Sequence, residues 1–263
     1  MPLPTHFISH GGGPWPWVPQ MAAEFAPLAA SYRALADSLQ QKPKAVLMIS
    51  GHWETESFAV QHCKRPPMVY DYSGFPPETY EVRYPAPGAP ELAEDVAQRL
   101  HRAGLPTRLD DTQGYDHGTF VPMSLLFPEA DVPLFQVSLQ HGYDPAAHWE
   151  MGRALAPLRD DGVLIIGSGL SYHNLRLFGP EAREPSEGFD QWLQQALQLP
   201  PEVRRSAILN WEQAPFARVS HKKEDHLAPL FAILGASEQD KAEVTYHQKM
   251  IFGGVTASSF RFG

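Results

Sequence analysis

Three histidines stand just after short apolar runs that have the composition of buried strands. His10 follows the run in FISHGGG, His52 follows the run in VLMISGHW, and His173 comes shortly after VLIIGSG. The carboxyl ends of neighbouring parallel strands meet at one edge of a sheet, so we expect these imidazoles to converge. Neutral imidazole is a good ligand for zinc, iron, copper and nickel. The pattern therefore indicates a histidine metal site holding Zn(II) or non-haem Fe(II).

Two further histidines lie in segments suited to the same site. His117 is in GYDHGTF, which we interpret as a loop with a glycine on either flank. His226 ends HKKEDH and is followed by the apolar residues of an apparent helix. Asp116 and Asp225 each precede one of these histidines and could orient an adjacent group, although either could equally be a solvated turn residue.

The other seven histidines carry no comparable pattern. His141 and His221 stand near the expected site and stay open between a functional and a structural role. We expect ordinary surface or structural roles for the rest: His6, His62, His101, His148 and His247.

Common hydrolase motifs are absent or incomplete. HExxH does not occur, so the sequence gives no support to a metalloprotease. GSGLS, residues 167–171, differs from the GxSxG nucleophile elbow because its first serine directly follows the first glycine. HGGG is typical of esterase oxyanion loops, but no elbow accompanies it. Serine hydrolase chemistry is therefore not favoured.

Strand and helix patterns alternate along the chain. Apolar runs typical of strands covered on both faces lie in THFISHGGG and in residues 44–53, 132–140 and 162–174. Helical spacing of apolar residues is found in residues 21–41, 89–104, 144–162 and 188–199. This order predicts one α/β domain over residues 1–263, with a central mixed, largely parallel sheet and helices on both faces.

An aromatic and proline-rich segment, residues 68–88, has little periodicity. We interpret it as a long structured excursion over one edge of a pocket. Aromatic residues of this segment and of the N-terminus could form flat pocket walls or could simply pack their own loops: Trp15, Trp17, Tyr70, Tyr72, Phe75 and Tyr80.

Composition narrows the class of protein. The net charge of −9 without a basic stripe argues against a nucleic-acid or membrane-surface partner. A single cysteine, Cys63, excludes an internal disulfide and thiolate-rich metal sites, and fits a reducing compartment. We find no signal-peptide pattern and no apolar run of membrane-spanning length. We expect a cytoplasmic monomer or small homo-oligomer.

Five motifs, in this order, resemble one family: SHGGGP, ISGHWE, YDHGTFVPMSLLFPEADVPLFQVSL, IIGSGLSYHNL and HKKEDHLAPLFAILGA. Together they resemble the class III extradiol ring-cleavage dioxygenases. The nearest branch is the 4,5-DOPA extradiol dioxygenase type, which is related to the catalytic subunit of protocatechuate 4,5-dioxygenase. The likeness runs from residue 7 to the terminal SSFRFG. GGGP replaces the usual glycine–serine-proline turn after the first histidine, which affects the pocket wall more than metal binding.

The resemblance implies one mononuclear divalent metal, expected to be Fe(II) in the active enzyme and Zn(II) in isolated protein. His10, His52 and His226 match metal-ligand positions of the family. His173 matches a histidine described either as a ligand or as an acid–base residue, and His117 matches one that lines the substrate and oxygen pocket. We therefore expect His117 and His173 to be catalytic, with His173 as the acid–base residue.

The expected function is insertion of O2 into a catechol-type, DOPA-like aromatic diol. A neutral imidazole, with an ordinary pKa of about 6.5, is suited to accept a proton that the catechol loses on binding. Two alternatives remain. The same histidines could serve a zinc-dependent hydrolase with a metal-bound hydroxide, or the chain could be a non-catalytic metal-binding or redox relative on the same fold. The substituent of the catechol and the position of cleavage stay open.

Overall fold

Ten β-strands lie within the computed structural model, which describes residues 2–263. In chain order they are β1 (Thr5–Ser9), β2 (Ala45–Ser50), β3 (Glu54–Thr55), β4 (Phe58–Gln61), β5 (Thr107–Asp110), β6 (Leu134–Gln136), β7 (Leu139–Gln140), β8 (Val163–Gly169), β9 (Ala242–Ile251) and β10 (Val255–Phe262). Six form the central sheet in the order β6–β2–β8–β1–β10–β9. The first four are parallel, whereas β10 pairs antiparallel with β1 and β9. The predicted mixed, largely parallel sheet is confirmed.

Helices cover both faces of this sheet, as predicted. Within residues 2–263 they are α1 (Pro19–Glu24), α2 (Ala26–Ser38), α3 (Pro90–Arg102), α4 (His117–Leu126), α5 (Pro145–Leu155), α6 (Arg183–Leu197), α7 (Pro201–Leu209), α8 (Ala217–Ser220) and α9 (Ala228–Ala236). The core on one face includes side chains from α2 and α4. The core on the other face includes side chains from α3, α5, α6 and α9.

The central strands are apolar along their length because they supply both cores. In β2, Leu47 and Ile49 enter the core shared with α5 and α9. The alternate residues Val46 and Met48 enter the core shared with α2 and α4. Side chains of a strand alternate between the two faces of a sheet, so a strand covered on both faces must be apolar at successive positions.

The helix bounds differ in detail from the sequence expectation. Residues 21–41 form two helices, α1 and α2, and α6 begins before the predicted start at residue 188. Over residues 144–162, α5 is followed by a 3₁₀ turn instead of continuing. Helix α3 ends close to its predicted end, where Gly104 adopts a φ of +78°. A left-handed residue just past the last turn is a common way to end a helix.

Several elements were not predicted, among them α4 and the hairpin of β9 and β10. His117 is the first residue of α4 and does not lie in a loop, and His226 precedes α9 by two residues. The hairpin of β9 and β10 completes the sheet. Its inner strand carries small residues in its centre, including Ser258 and Ser259, and these give no apolar run for a sequence pattern to detect.

The remaining strands form two short parallel pairs, β3 with β7 and β4 with β5. Residues 68–88 contain one 3₁₀ turn, Pro77–Tyr80, and no α-helix or paired strand of the described sheets. Among residues 2–263, no helix combines the length and the apolar character that a membrane crossing requires.

Candidate metal centre and active site

The carboxyl end of β8 anchors the segments that carry three of the histidines. His10 directly follows β1, and its N–H donates a 3.2 Å hydrogen bond to the Gly169 carbonyl at the end of β8. On the other side of β8, His52 follows β2. The Leu170 N–H donates a 3.0 Å hydrogen bond to the His226 carbonyl. The topology therefore brings residues far apart in sequence to one edge of the sheet.

Two glycines allow this close packing. A Cβ at Gly169 would lie 2.1 Å from the His226 carbonyl oxygen. Gly11 has a φ of +78°, and a Cβ there would lie 2.5 Å from the Trp15 indole. That indole donates a 2.9 Å hydrogen bond to the His10 carbonyl. The glycine run after His10 therefore forms a left-handed turn packed on Trp15, as well as lining the cavity described below.

Three imidazoles meet at this edge. One ring nitrogen each from His10, His52 and His226 lies within 4.8 Å of the other two. Nε2 of His226 is 3.1 Å from Nε2 of His52. The His10 ring centroid is 4.9 Å from that of His52 and 5.0 Å from that of His226. We call these residues the three-histidine group.

Asp71 lies between one member of this group and another histidine. One carboxylate oxygen is 3.1 Å from Nδ1 of His52, and the other is 2.8 Å from Nδ1 of His117. The backbone N–H of His117 also donates to Asp71, at 3.0 Å. A carboxylate that holds Nδ1 leaves Nε2 of the same ring free for a metal or a substrate.

Asp225 occupies the equivalent place on the other side. Its Oδ1 is 3.0 Å from Nδ1 of His226 and 3.4 Å from Nδ1 of His173. The rings of His173 and His226 stack with centroids 3.5 Å apart. Burial alone would raise the pKa of Asp225, but His173 and His226 beside it hold that pKa well below its usual value. Each aspartate thus joins one member of the three-histidine group to one histidine outside it.

The three-histidine group is held in the neutral form. Burial, followed by the neighbouring imidazoles, lowers the pKa of His10 and of His52 well below 6.5. Burial and the nearby His173 lower the pKa of His226 to about 4, although Asp225 opposes the shift. Neutral imidazole is the form that binds metal ions.

The surroundings of His10, together with its two neighbouring imidazoles, favour a bound metal. His10 is 1% exposed, and neither of its ring nitrogens has a hydrogen-bond partner within residues 2–263. A buried polar group without a partner costs free energy, which a bound ligand would remove. Three convergent neutral imidazoles are a donor set for Zn(II) or Fe(II). These residues therefore fit a divalent metal.

Asp116 has a different role from Asp71 and Asp225. It caps the first turn of α4, where its side chain accepts from the Thr119 N–H at 3.1 Å. It also accepts from the Ser50 hydroxyl at 2.7 Å, which ties α4 to the end of β2. Burial, together with the charge of Asp71, raises the pKa of Asp116 to about 6. Asp116 thus fixes the position of the helix that begins with His117.

A cavity of about 420 Å³ opens onto these residues. All five histidines singled out from the sequence line it: His10, His52, His117, His173 and His226. Of the six aromatic residues considered as walls, Tyr72 and Phe75 line the cavity. Trp15 is buried behind Gly11 and packs on Phe25. The other three do not line it: Trp17, Tyr70 and Tyr80.

Comparison with known families shows which family the chain belongs to. The family described as the catalytic LigB subunit of aromatic ring-opening dioxygenase matches residues 4–263. The chain belongs to this family. The resemblance found in the five sequence motifs is confirmed.

Individual similar proteins cover nearly the whole chain. It is 37% identical to a 4,5-DOPA dioxygenase extradiol from Portulaca grandiflora, over 92% of this chain and 89% of the relative. It is 36% identical to the protein of the same name from Beta vulgaris, over 98% and 96%. A crystal structure of an uncharacterized protein from Escherichia coli K12 superposes with a TM-score of 0.80 at 27% identity, covering 99% of this chain and all of that one.

Membership of the LigB family makes the chain an aromatic ring-opening dioxygenase, so the prediction of an oxidoreductase is confirmed. Enzymes of this family are metal-dependent, and the histidine and aspartate groups described above could hold a metal ion. The dioxygenase relatives imply a small-molecule substrate and O2.

Sequence reasoning missed Asp71. This residue lies in the segment 68–88, and its partners depend on how that irregular segment crosses the site. The only signal was a carboxylate flanked by tyrosines, in VYDYSG, within a segment already expected to cover a pocket.

The two histidines left open do not line the cavity. His221 is buried among Phe189 and Trp211, and His141 is half exposed, 3.8 Å from Glu54.

Proposed function

We propose that this LigB dioxygenase is a metal-dependent extradiol enzyme that opens a catechol-type ring with O2. The observation that carries the proposal is the three-histidine group, in which both ring nitrogens of His10 are buried without a partner. The sequence relatives named 4,5-DOPA dioxygenase extradiol support a catechol as the substrate class.

His10, His52 and His226 would hold the metal in this proposal. Their neutral state supports ligation, and carboxylate oxygens of Asp71 and Asp225 lie 3.1 Å from Nδ1 of His52 and 3.0 Å from Nδ1 of His226. Carboxylates in such positions commonly orient metal-binding imidazoles. We expect Fe(II) in the active enzyme and Zn(II) in protein as isolated. Iron, when bound, supplies the redox chemistry that allows O2 to react with an aromatic diol.

His117 and His173 would handle protons. Asp71 accepts from Nδ1 of His117, so Nε2 of the neutral ring carries the lone pair. On the cavity side this nitrogen would accept a proton first and donate it to oxygen or substrate afterwards. His173 is outside the three-histidine group and near Asp225 through Nδ1. We therefore assign His173 to acid–base work, accepting a proton from a catechol hydroxyl, and not to metal ligation.

The overall reaction balances without a further reductant. One catechol and one O2 give one ring-opened product, with a carbon–carbon bond beside the diol broken and both oxygen atoms retained. One proton leaves a hydroxyl of the substrate and is returned when the product forms, which requires a base and an acid beside the ring. The two histidines flanking the three-histidine group provide these.

The test is reconstitution with iron under anaerobic conditions. Protein loaded with Fe(II) is mixed with a panel of catechols, and oxygen uptake and the yellow absorbance of a semialdehyde product are recorded. The proposal predicts one O2 consumed for each catechol opened, and no turnover with zinc-loaded protein. Failure of iron-loaded protein to open any catechol would contradict it, and ester or amide hydrolysis by the zinc form would favour the hydrolase alternative.

A further inference from the structure

The cavity narrows the kind of catechol that this enzyme accepts. Five imidazoles line its inner end, and the diol of a catechol must face them for ring opening. A substituent on the opposite side of the ring must then lie in the outer part of the cavity. This part is lined mainly by apolar side chains, including Met21, Phe75, Ile251 and Val255.

The outer part has no charge to pair with a charged substituent. Among the described residues that line the cavity there is no lysine, arginine or glutamate. Asp71 is the single carboxylate in that lining, and it already contacts two imidazoles. A carboxylate or ammonium group placed here would lose its hydration without gaining an ion pair, which is costly.

The two tyrosines of the lining are not free to donate a hydrogen bond to a polar substituent either. The Tyr72 hydroxyl donates a 2.7 Å hydrogen bond to the Thr79 carbonyl. The Tyr172 hydroxyl donates a 2.8 Å hydrogen bond to the Leu177 carbonyl. Each ring therefore faces the cavity with its hydroxyl donor already used by the backbone.

The mouth of the cavity is apolar and exposed. Leu175 is 72% exposed, and Phe178 and Phe252 are 37% and 41% exposed with ring centroids 5.7 Å apart. All three line the cavity. Large apolar side chains grouped at the mouth of a cavity are typical of a surface that binds an apolar ligand.

A charged cleft next to this mouth offers the main competing site. It is lined by residues that include Arg176 and Lys222, and it shares His173 and Leu175 with the cavity. Arg176 and Lys222 are exposed and do not line the cavity itself. The two cations therefore lie in a separate cleft that adjoins the cavity at His173 and Leu175.

We propose that the preferred substrate is a catechol whose ring substituent is uncharged and apolar, an alkyl or aryl group, and not an amino acid or a carboxylic acid. This inference rests on the proposed ring opening of a catechol by the iron-loaded protein. It makes the outer cavity, and not the metal site, the part that selects the substrate.

The first experiment compares two catechols of nearly the same shape and different charge. 4-Isobutylcatechol and 3,4-dihydroxyphenylacetate are given to the Fe(II)-loaded full chain, with DOPA as a third substrate. We expect kcat/KM for the isobutyl compound to exceed that for either charged compound by about tenfold or more. Binding to zinc-loaded protein, measured by calorimetry, should show the same order without turnover.

The outcomes separate this inference from the proposed function. If the carboxylate or DOPA is opened as efficiently as the isobutyl compound, or more so, the inference is wrong while ring opening stands. If none of the three is opened but the zinc form binds the isobutyl compound more tightly than the acid, the selectivity stands and the proposed function fails.

A second experiment introduces a positively charged side chain at the mouth of the cavity. Phe252→Arg should lower the preference for the isobutyl compound over the acid by about three- to fivefold, since a partly exposed ion pair is weak. Met250→Arg is the matched control, because Met250 is similarly exposed at 46% and does not line the cavity. It should leave the preference unchanged, and an equal shift in both variants would contradict the inference.

A third pair of variants tests the charged cleft. Arg176→Ala and Lys222→Ala should leave the kinetics of both catechols unchanged. A selective loss of activity on the acid in either variant would place the acid group in that cleft and would overturn the inference.

Discussion

The two ends of the cavity are built from opposite kinds of side chain. The inner end is polar and buried: His10 is 1% exposed and His226 is 2% exposed, and aspartates contact the rings around them. The outer end is apolar and open, with Leu175, Phe178 and Phe252 at its mouth. His10, His52 and His226 are anchored around the end of β8, whereas Leu175 and Phe178 lie in the irregular segment after β8 and Phe252 lies in the turn between β9 and β10.

This difference separates chemistry from selection. A metal site needs donors fixed within a few tenths of an ångström, which a rigid sheet edge provides. Substrate choice needs only shape and polarity, which loops can vary. Changes at the inner end should therefore affect turnover, and changes at the outer end should affect mainly KM and substrate preference. The predictions that follow test this division.

Loss of a member of the three-histidine group should have the largest effect. His52→Ala and His226→Ala should each abolish detectable ring opening in iron-reconstituted protein, because two imidazoles hold a divalent ion poorly. Oxygen uptake measures the result. His141→Ala is the control, since this half-exposed imidazole lies outside the cavity and its loss should change nothing. Turnover close to that of the wild type in His226→Ala would refute the assignment.

The two flanking histidines should affect the rate with the metal retained. His117→Gln and His173→Gln should each lower kcat by about 10²- to 10⁴-fold, the usual contribution of a positioned acid or base. Iron content measured on the same samples should equal that of the wild type. If iron is lost together with the His173 imidazole, that residue is a ligand and its acid–base assignment is wrong.

The aspartate that sequence reasoning missed should have an intermediate effect. Asp71→Asn weakens the contacts that orient His52 and His117, and we expect activity or metal affinity to fall by about 10- to 100-fold. The matched control is Asp111→Asn. Asp111 lies 2.7 Å from His62 in an exposed pair far from the cavity lining, so its loss should leave activity unchanged. Equal effects of the two variants would mean that Asp71 is not a positioning residue.

His6 is a buried histidine outside the cavity, and it tests whether burial alone keeps an imidazole neutral in this fold. Burial, with a smaller contribution from Arg261, lowers the pKa of His6 to about 3. The unfolded imidazole takes up a proton near pH 6.5 and the folded one only near pH 3. The unfolded state therefore binds more protons in this window, and stability falls as pH falls through it.

The measurement is urea unfolding of metal-free protein at about pH 7.5 and about pH 5.5. Between these two pH values, the free energy of unfolding of the wild type should fall by about 1.4 kcal/mol more than that of His6→Leu. This difference arises because pH 5.5 is about one unit below the pKa of the unfolded imidazole. Ring opening by the reconstituted variant should persist. An identical pH dependence in the two proteins would show that His6 does not stay neutral in the fold.

The smallest effect is expected at the outer end. Phe178→Ala should raise KM for an alkyl catechol by about three- to tenfold, because a partly exposed ring contributes only about 1 kcal/mol of apolar contact. kcat should stay unchanged, since this contact is the same for substrate and transition state. A large fall in kcat with KM constant would contradict the division between the two ends.

Much of the fold follows from local patterns. The apolar runs of β2 and β8 are easily recognised because both strands are buried on both faces and most of their residues are apolar. The hairpin of β9 and β10 gave no such signal. Half of the residues of β9 are exposed, and the buried residues of β10 include small polar ones such as Ser258 and Ser259. These two strands belong to the sheet because β10 pairs with β1 and with β9. The residue pattern of one strand does not show which strand it pairs with.

The site was predictable to a similar degree. Histidines placed after strands were found from sequence because topology alone brings strand ends together. The partners of their Nδ1 atoms were not predictable in the same way. Asp225 was one of two candidates, and Asp71 reaches the site only through the path of an irregular segment. The aromatic walls show the same limit, since Phe75 lines the cavity and Trp15 packs behind it.

Metal titration of the purified chain tests the central claim most directly. The wild type should bind one divalent ion per chain, and His10→Ala, His52→Ala and His226→Ala should each lose this binding, while His117→Gln and His173→Gln keep it. Calorimetry with Zn(II) gives the stoichiometry and the affinity in one experiment. Unchanged affinity in His10→Ala would contradict the account, because that imidazole would then be buried without a partner for some other reason.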